Sequence, residues 1–535
     1  MTNIASISGR LLLFYALFTC FYHSGRSQGH ASQEPVQQSD TVYENPVIPG
    51  AFPDPTIIRV GDRYIAAGTS FDFAPCYPVY ESGDLVNWEL VSHIFPDPPA
   101  WAAKNFWAPE LFYRDSTYFV YYTAKRRSDG VSCIGVASTP DIREGFTDHG
   151  IIIEWGREAI DAYVFEDGDG TCYITWKAYG LTRGRPIEIL ACELSDDGLR
   201  PEGEPFTLTD HSRGWKGGND EGQILMKQGG YYYLFYSDGG CCDRHCDYRI
   251  RVARSRELRE GWEQRPDPIL RGGETWVCPG HGTIVTTPGG RFYYLYHAYH
   301  HTDFEYIGRQ GMLGELVFNE DTGWPEFVEG NTPTQSAPFP YPGTVQQRDT
   351  VRNDYFNAEE ALKKREWDLH YPRPSGELKD SMLFLTGNRE EHNFLGFRPK
   401  TGNYTFSVTL PLQQYQQGIG IYSRRDKLLM YSASRENIRV LRLEDGQKKV
   451  LATVPLEGQS EISLKYRLTD GKYLRFYWSE GPGHTWNYLD MAANDTYDAG
   501  FLATWGFSPR AGLLWNSDQQ TAAYHSIVVT YRYRQ

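Results

Sequence analysis

Three carboxylates stand in contexts suited to acid–base chemistry on a neutral bond. Asp54 lies between prolines in Phe52-Pro53-Asp54-Pro55, and flanking prolines stiffen backbone where a base must be held in place; its plain alternative is an Asp that makes a turn. Asp161, in Ala159-Ile160-Asp161-Ala162, has apolar neighbours that would desolvate its charge, and a structural ion pair is the competing account. Glu221 follows Gly217-Gly218-Asn219-Asp220 and precedes Gly222, so the absence of bulk lets a ligand approach; a turn carboxylate is the other reading. Gathered around one cavity, such groups repel one another. Their pKa values spread, and one carboxyl stays protonated near neutrality, as a general acid beside a general base requires.

Other side chains could complete such a site. His281, in Pro279-Gly280-His281-Gly282-Thr283, suits either a cation or water site or a hydrogen-bonded structural role. Arg309, in Gly308-Arg309-Gln310, could hydrogen-bond sugar hydroxyls, pair with a carboxylate or be an ordinary surface residue. Phe71 and Trp107 are candidate platforms for the C–H face of a sugar, with a core role as the alternative. Glu110 runs straight into a strand as Glu110-Leu111-Phe112 and reads as a tie between neighbouring units.

Positioning these groups falls to an internal repeat. Five segments share an acidic or His head, a short alternating strand, a Gly/Asp turn and a Tyr-rich second strand, beginning at Asp54, Glu110, Asp161, Glu221 and His281. The turns Gly61-Asp62, Asp115-Ser116, Asp167-Gly168, Gly229-Gly230 and Gly289-Gly290 make each unit a hairpin, with further strands after it. Four strands per unit, five times over, predict an all-β five-bladed propeller across residues 44–330, whose symmetry would bring all five heads to one axial depression. A Pro-rich stretch, 331–346, reads as a linker because proline withholds ladder donors. Beyond it, strands expected at Tyr404–Leu410, Ile438–Leu443, Glu461–Leu468, Tyr473–Trp478 and Ile527–Tyr531 suggest a β-sandwich over 347–535.

The N-terminus carries a basic Arg10, the apolar run Leu11–Tyr22 and small residues through Ser27. Charge, length and cleavage context predict a signal peptide over 1–27 and an exported protein, periplasmic or extracellular. The run is too short to span a hydrocarbon core of ~30 Å, and Thr19 before Cys20 fits poorly with a lipid-attachment cysteine. Eight further cysteines remain of nine, with no pairing legible; the cluster Cys241-Cys242-x3-Cys246 with Asp243 and His245 reads as disulfides or thiols rather than a zinc site, since it lacks the usual CxxC spacing. In 535 residues, aromatics at 15% exclude a disordered chain, and 53 Lys+Arg against 68 Asp+Glu, a net charge of −15, argue against nucleic acid or an anionic membrane as partner.

The stretches Phe52-Pro53-Asp54-Pro55, Trp107-Ala108-Pro109, Ile160-Asp161, Glu221-Gly222, Gly280-His281-Gly282 and Tyr80 through Trp88 together resemble glycoside hydrolase family 43. The tail is similar to the concanavalin-like β-sandwich that follows the propeller in many β-xylosidases of that family. The resemblance implies Asp54 as general base, Glu221 as general acid, Asp161 as the carboxylate that orients the acid, Arg309 as a sugar-binding arginine, and His281 as an axial histidine associated in some members with calcium. It implies an inverting, exo-acting β-xylosidase or α-L-arabinofuranosidase on oligosaccharide or polysaccharide, with no cofactor required for the chemistry. Ala162 replaces a common proline after Asp161, and the Cys241–Cys246 loop is absent from the simplest members. Two other classes compete: a retaining, invertase-like fructan hydrolase, whose Asn-Asp-Pro-Asn, Arg-Asp-Pro and Glu-Cys blocks are missing, and a non-catalytic carbohydrate-binding propeller, which the three carboxylates disfavour. Xylose versus arabinose, exo versus endo action and oligomeric state stay open on sequence.

Overall fold

The computed structural model describes residues 41–209, 218–356, 367–370, 374–491, 496–517 and 520–534. The signal-peptide and Cys20 expectations fall outside the described residues. Strands dominate; Phe304–Ile307 forms a single helical turn, and among the described residues no helix is long and apolar enough to cross a membrane.

Residues 56–327 form five four-stranded antiparallel sheets; four are built from strands consecutive in sequence, and the first skips only Phe73–Ala74. Their first strands are Thr56–Val60, Ala102–Arg114, Ala159–Glu166, Glu221–Gln228 and Trp276–Thr286. These contact one another in order, and the fifth returns to the first, so the cycle closes. All five expected turns separate a first strand from a second. The second strands read as continuous apolar and Tyr runs because they lie inside their sheets with both faces covered: in Tyr231–Asp238 every residue after the first is buried. Thr56–Val60 buries its first two residues and exposes only Arg59, next to the turn.

The C-terminal strands form a seven-stranded sheet, most of an eight-stranded sheet and a three-stranded sheet. Alternation is clearest in Tyr404–Pro411, where every second residue is buried. All five strands expected there are present, within a residue or two. Two findings depart from expectation. Ser336–Pro338, inside the stretch read as a linker, pairs with Val42–Glu44; three paired residues at a two-stranded edge tolerate the terminal proline. Phe73–Ala74, from the loop-side of the first sheet, joins the eight-stranded C-terminal sheet beside Trp367–His370. One hydrophobic core accordingly runs from Ile65, Tyr77 and Tyr122 into Phe406, Ile419, Tyr431 and Trp515.

Candidate active site

The repeat heads owe their placement to a shared irregularity. In or just before each first strand the backbone turns left-handed, at Asp54 (φ 53°), Ala108 (39°), Asp161 (57°), Gly222 (58°) and His281 (32°), and in the second and fifth also at Asn105 (60°) and Cys278 (54°). In four of the five sheets the pairing register slips at that point, a β-bulge that re-aims side chains. Non-glycine residues adopt such backbone only where surrounding structure enforces it. Asp54, Asp161 and His281 therefore share one phase, whereas Glu221 precedes the left-handed residue and Glu110 follows it by two. The equal phase expected for all five heads is corrected to three.

The cavity that results holds about 510 Å³ and is lined by Asp54, Asp161, Glu221, His281, Arg309 and Trp107, with Lys177, Glu158, Leu181, Cys241, Cys242, Trp505 and Phe507 among its other walls. Asp54 is buried. Its Oδ1 accepts from Arg309 Nη1 at 2.7 Å and its Oδ2 from Thr69 Oγ1 at 2.7 Å. Burial favours its neutral form, but Arg309 above all, then His281 and the Thr69 hydroxyl, outweigh that and hold the carboxyl at about 2. His297 is itself fully buried and accepts the Asp54 amide at Nδ1, 3.1 Å away; burial, with Arg309 adding, keeps it neutral.

Asp161 stands in the opposite state. Burial pushes its carboxyl up to about 7, with Glu221 adding and His281 and Lys177 opposing. Its Oδ2 accepts from the Gly222 amide at 3.2 Å, which ties it to the backbone of Glu221. His281 Nδ1 lies between the two aspartates, 3.5 Å from Asp54 and 3.8 Å from Asp161. A Cβ on Gly222 would come within 2.6 Å of His281 Cγ, so only glycine fits there. Glu221 has both carboxylate oxygens engaged: Oε1 accepts from Tyr248 Oη at 3.0 Å and Oε2 from Lys177 Nζ at 2.6 Å.

The remaining candidates divide. Trp107 lines the cavity and faces Trp505 at 6.5 Å, rings inclined at 66°. Phe71 does not reach it: the residue is 1% exposed, its ring 5.0 Å from that of Phe507 and tilted by 31°, with the Arg510 guanidinium over it at 5.8 Å. The sugar-platform expectation for Phe71 is corrected to a core contact between the two sheet systems. Glu110 is buried away from the cavity, accepting from Thr56 Oγ1 at 2.7 Å, which ties the first sheet to the second. The calcium expectation for His281 finds no support: calcium takes six to eight oxygens, and the described residues hold no group of three or more His, Cys, Asp or Glu that could hold a metal ion. Cys241 pairs with Cys242 and Cys246 with Cys278, so no thiolate there is left to ligate a metal; Cys76, Cys133, Cys172 and Cys192 are buried and form no disulfide.

Sequence reasoning missed Lys177, Glu158, Tyr248, His297 and the Trp505–Phe507 wall. Lys177 had a signal: a lysine inside the apolar strand Cys172–Ala178 needs a buried partner. Trp505 had none, because it reaches the cavity from a C-terminal loop.

The sequence model for glycosyl hydrolases family 43 matches residues 43–325, more than half of the chain. The protein belongs to glycosyl hydrolases family 43. It is therefore a glycosyl hydrolase. Among relatives, the family 43 chain is 28% identical over 333 residues to "Xylan 1,3-beta-xylosidase" of a Vibrio species, covering 56% of this chain and 60% of that one's length. It is 25% identical over 477 residues to "Non-reducing end alpha-L-arabinofuranosidase BoGH43B" of Bacteroides ovatus, covering 82% and 85%. The fold matches the crystal structure of the GH43 protein BlXynB from Bacillus licheniformis with a TM-score of 0.78 at 23% identity, over 92% of this chain and 100% of that one.

Proposed function

We propose that this family 43 chain is an inverting, exo-acting glycosidase that releases xylosyl or arabinofuranosyl units from plant cell-wall polysaccharide fragments. In this reading the five sheets are the blades of a five-bladed β-propeller and the C-terminal sheets a concanavalin-like β-sandwich. The observation that carries it is the split between two buried carboxyls at one cavity, Asp54 held at about 2 and Asp161 pushed to about 7; environments that drive titratable groups apart mark acid–base sites. Asp54, ionised, takes a proton from water on one face of the sugar. Glu221 gives its proton to the departing oxygen on the other, through an oxocarbenium-like transition state. Asp161 holds the backbone at Gly222 and so the acid. Arg309 acts on the base and not as a free sugar-binding arm, given its 2.7 Å bond to Asp54. Trp107 is the sugar platform.

The wall contributed by Trp505 and Phe507 favours entry by a chain end over passage of an internal segment, and the printed names of the relatives, a xylosidase and an arabinofuranosidase, supply the two pentoses. The basic residue and apolar run at Arg10–Tyr22 support export. Proton NMR of the first sugar released from aryl pentosides tests the mechanism. Appearance of the inverted anomer before mutarotation is expected; the retained anomer would favour a covalent, fructan hydrolase-like course, and no product a binding role.

A further inference from the structure

We infer that Lys177, held between Glu158 and Glu221, is a positioning residue that moves between the two carboxylates and sets when Glu221 holds its proton. This rests on the reading of Glu221 as the general acid. Lys177 Nζ is 2.6 Å from Glu221 Oε2 and 3.9 Å from Glu158 Oε1, with its side chain 9% exposed. Glu158 packs over Gly180, where a Cβ would fall 2.0 Å from its Oε1. One ammonium thus serves two buried carboxyls, and burial, eased by Lys177 and worsened by Glu221, raises the pKa of Glu158.

An ammonium bonded to Glu221 favours the carboxylate, which suits the state after proton donation and opposes the state before it. Donation therefore requires Lys177 to bond elsewhere while Glu221 is protonated, and Glu158 is the acceptor within reach. When the glycosidic C–O bond breaks, the Glu221 proton passes to the departing oxygen, the electron pair stays on the Glu221 carboxylate, and Lys177 returns to it with all three of its own protons. The other charged or titratable groups facing this cluster are Asp161 and Tyr248, with His281 and Arg309 across the cavity, Asp243 on its rim and Lys125 beside Glu158. None of these bridges Glu158 to Glu221 in the described contacts.

The test is the pH dependence of kcat/KM for Lys177→Met, Lys177→Arg and Glu158→Gln, on one aryl pentoside with a poor leaving group and one activated. Lys177→Met leaves two carboxyls to repel, so the basic limb moves to higher pH by about one unit or more. Glu158→Gln confines Lys177 to Glu221, so the same limb moves to lower pH; Lys177→Arg restores the wild-type limb at least in part. Opposite shifts support the inference. Limbs that stay put, or that move the same way in both variants, overturn it, and Glu158→Gln with Lys177→Arg decides the matter should Lys177→Met fail to fold. Glu221→Gln is the control for the underlying reading: a loss far greater on the poor leaving group keeps Glu221 as the acid whatever Lys177 does, whereas equal losses remove that assignment.

Discussion

Asp54 and Arg309 are both buried, and the 2.7 Å bond between them is what keeps a desolvated carboxylate ionised. Replacing Arg309 by Met leaves the burial penalty with less to oppose it, and Asp54 must then rise from about 2 toward and above its usual 3.8. A base works only when ionised, so activity is lost as pH falls through its folded value. In Arg309→Met the acid limb of kcat/KM is expected to move up to a pH where it is readily measured, with the basic limb in place; an unmoved acid limb would detach Asp54 from the base role. The same pair sets acid stability. Because the folded value of Asp54 lies below 3.8, its contribution is present above 3.8 and is lost as pH falls toward about 2. Breaking the buried pair should cost about 3–5 kcal/mol at neutral pH, read as a lower denaturant midpoint. At this scale the meeting of Asp54, Asp161 and Glu221 at one cavity was legible because their flanking residues are unusual. Phe71 was misread because ring chemistry is the same in a core as in a subsite, and Lys177 was missed because its nearest partner, Glu221, comes from another repeat unit.

Local backbone, rather than side-chain type, aims the functional groups at the level of the strand. Gly222 has φ 58°, and a Cβ there would meet His281 at 2.6 Å; Gly229, in the turn of the same hairpin, also has φ 58° but nothing within 4 Å. The two glycines form a matched pair. Each mutation to Ala incurs the left-handed penalty of about 1–2 kcal/mol, but only Gly222→Ala displaces His281 from between Asp54 and Asp161. Gly222→Ala is expected to lower kcat/KM at least tenfold while Gly229→Ala keeps it, with the larger fall in Tm for Gly222→Ala because it adds the clash to the shared backbone penalty; equal activities would show that His281 does not need its present place. The repeat was legible from turn chemistry and Tyr-rich strands, and all five hairpins follow it. The bulges were not, since a one-residue slip leaves no mark on an alternating pattern, and that is why Glu221 and Glu110 fall out of phase with the other heads.

Across the whole molecule the boundary drawn by prolines is not a mechanical one. Ser336–Pro338 pairs back to Val42–Glu44, Phe73–Ala74 completes a C-terminal sheet, Tyr306 and Tyr404 share a 2.7 Å hydroxyl contact, and the Gly506 amide donates to the Cys242 carbonyl at 3.0 Å. Such pairings join residues hundreds of positions apart and carry no periodicity, so composition reported a linker where the fold has a seam. Interfaces between independent domains are typically modest and polar; here Phe71, Phe73, Phe394, Tyr422 and Leu514 belong to one buried cluster. The two sheet systems should therefore unfold together. Scanning calorimetry of the full chain is expected to give one transition with calorimetric and van't Hoff enthalpies equal, and a chain ended at residue 346 should expose Phe71 and Phe73, lose the Trp505–Phe507 wall and fail to yield a cooperative transition. Two resolved transitions, or a truncated chain that melts cooperatively and keeps full turnover, would mean that the C-terminal sheets lean on the catalytic ring without completing it.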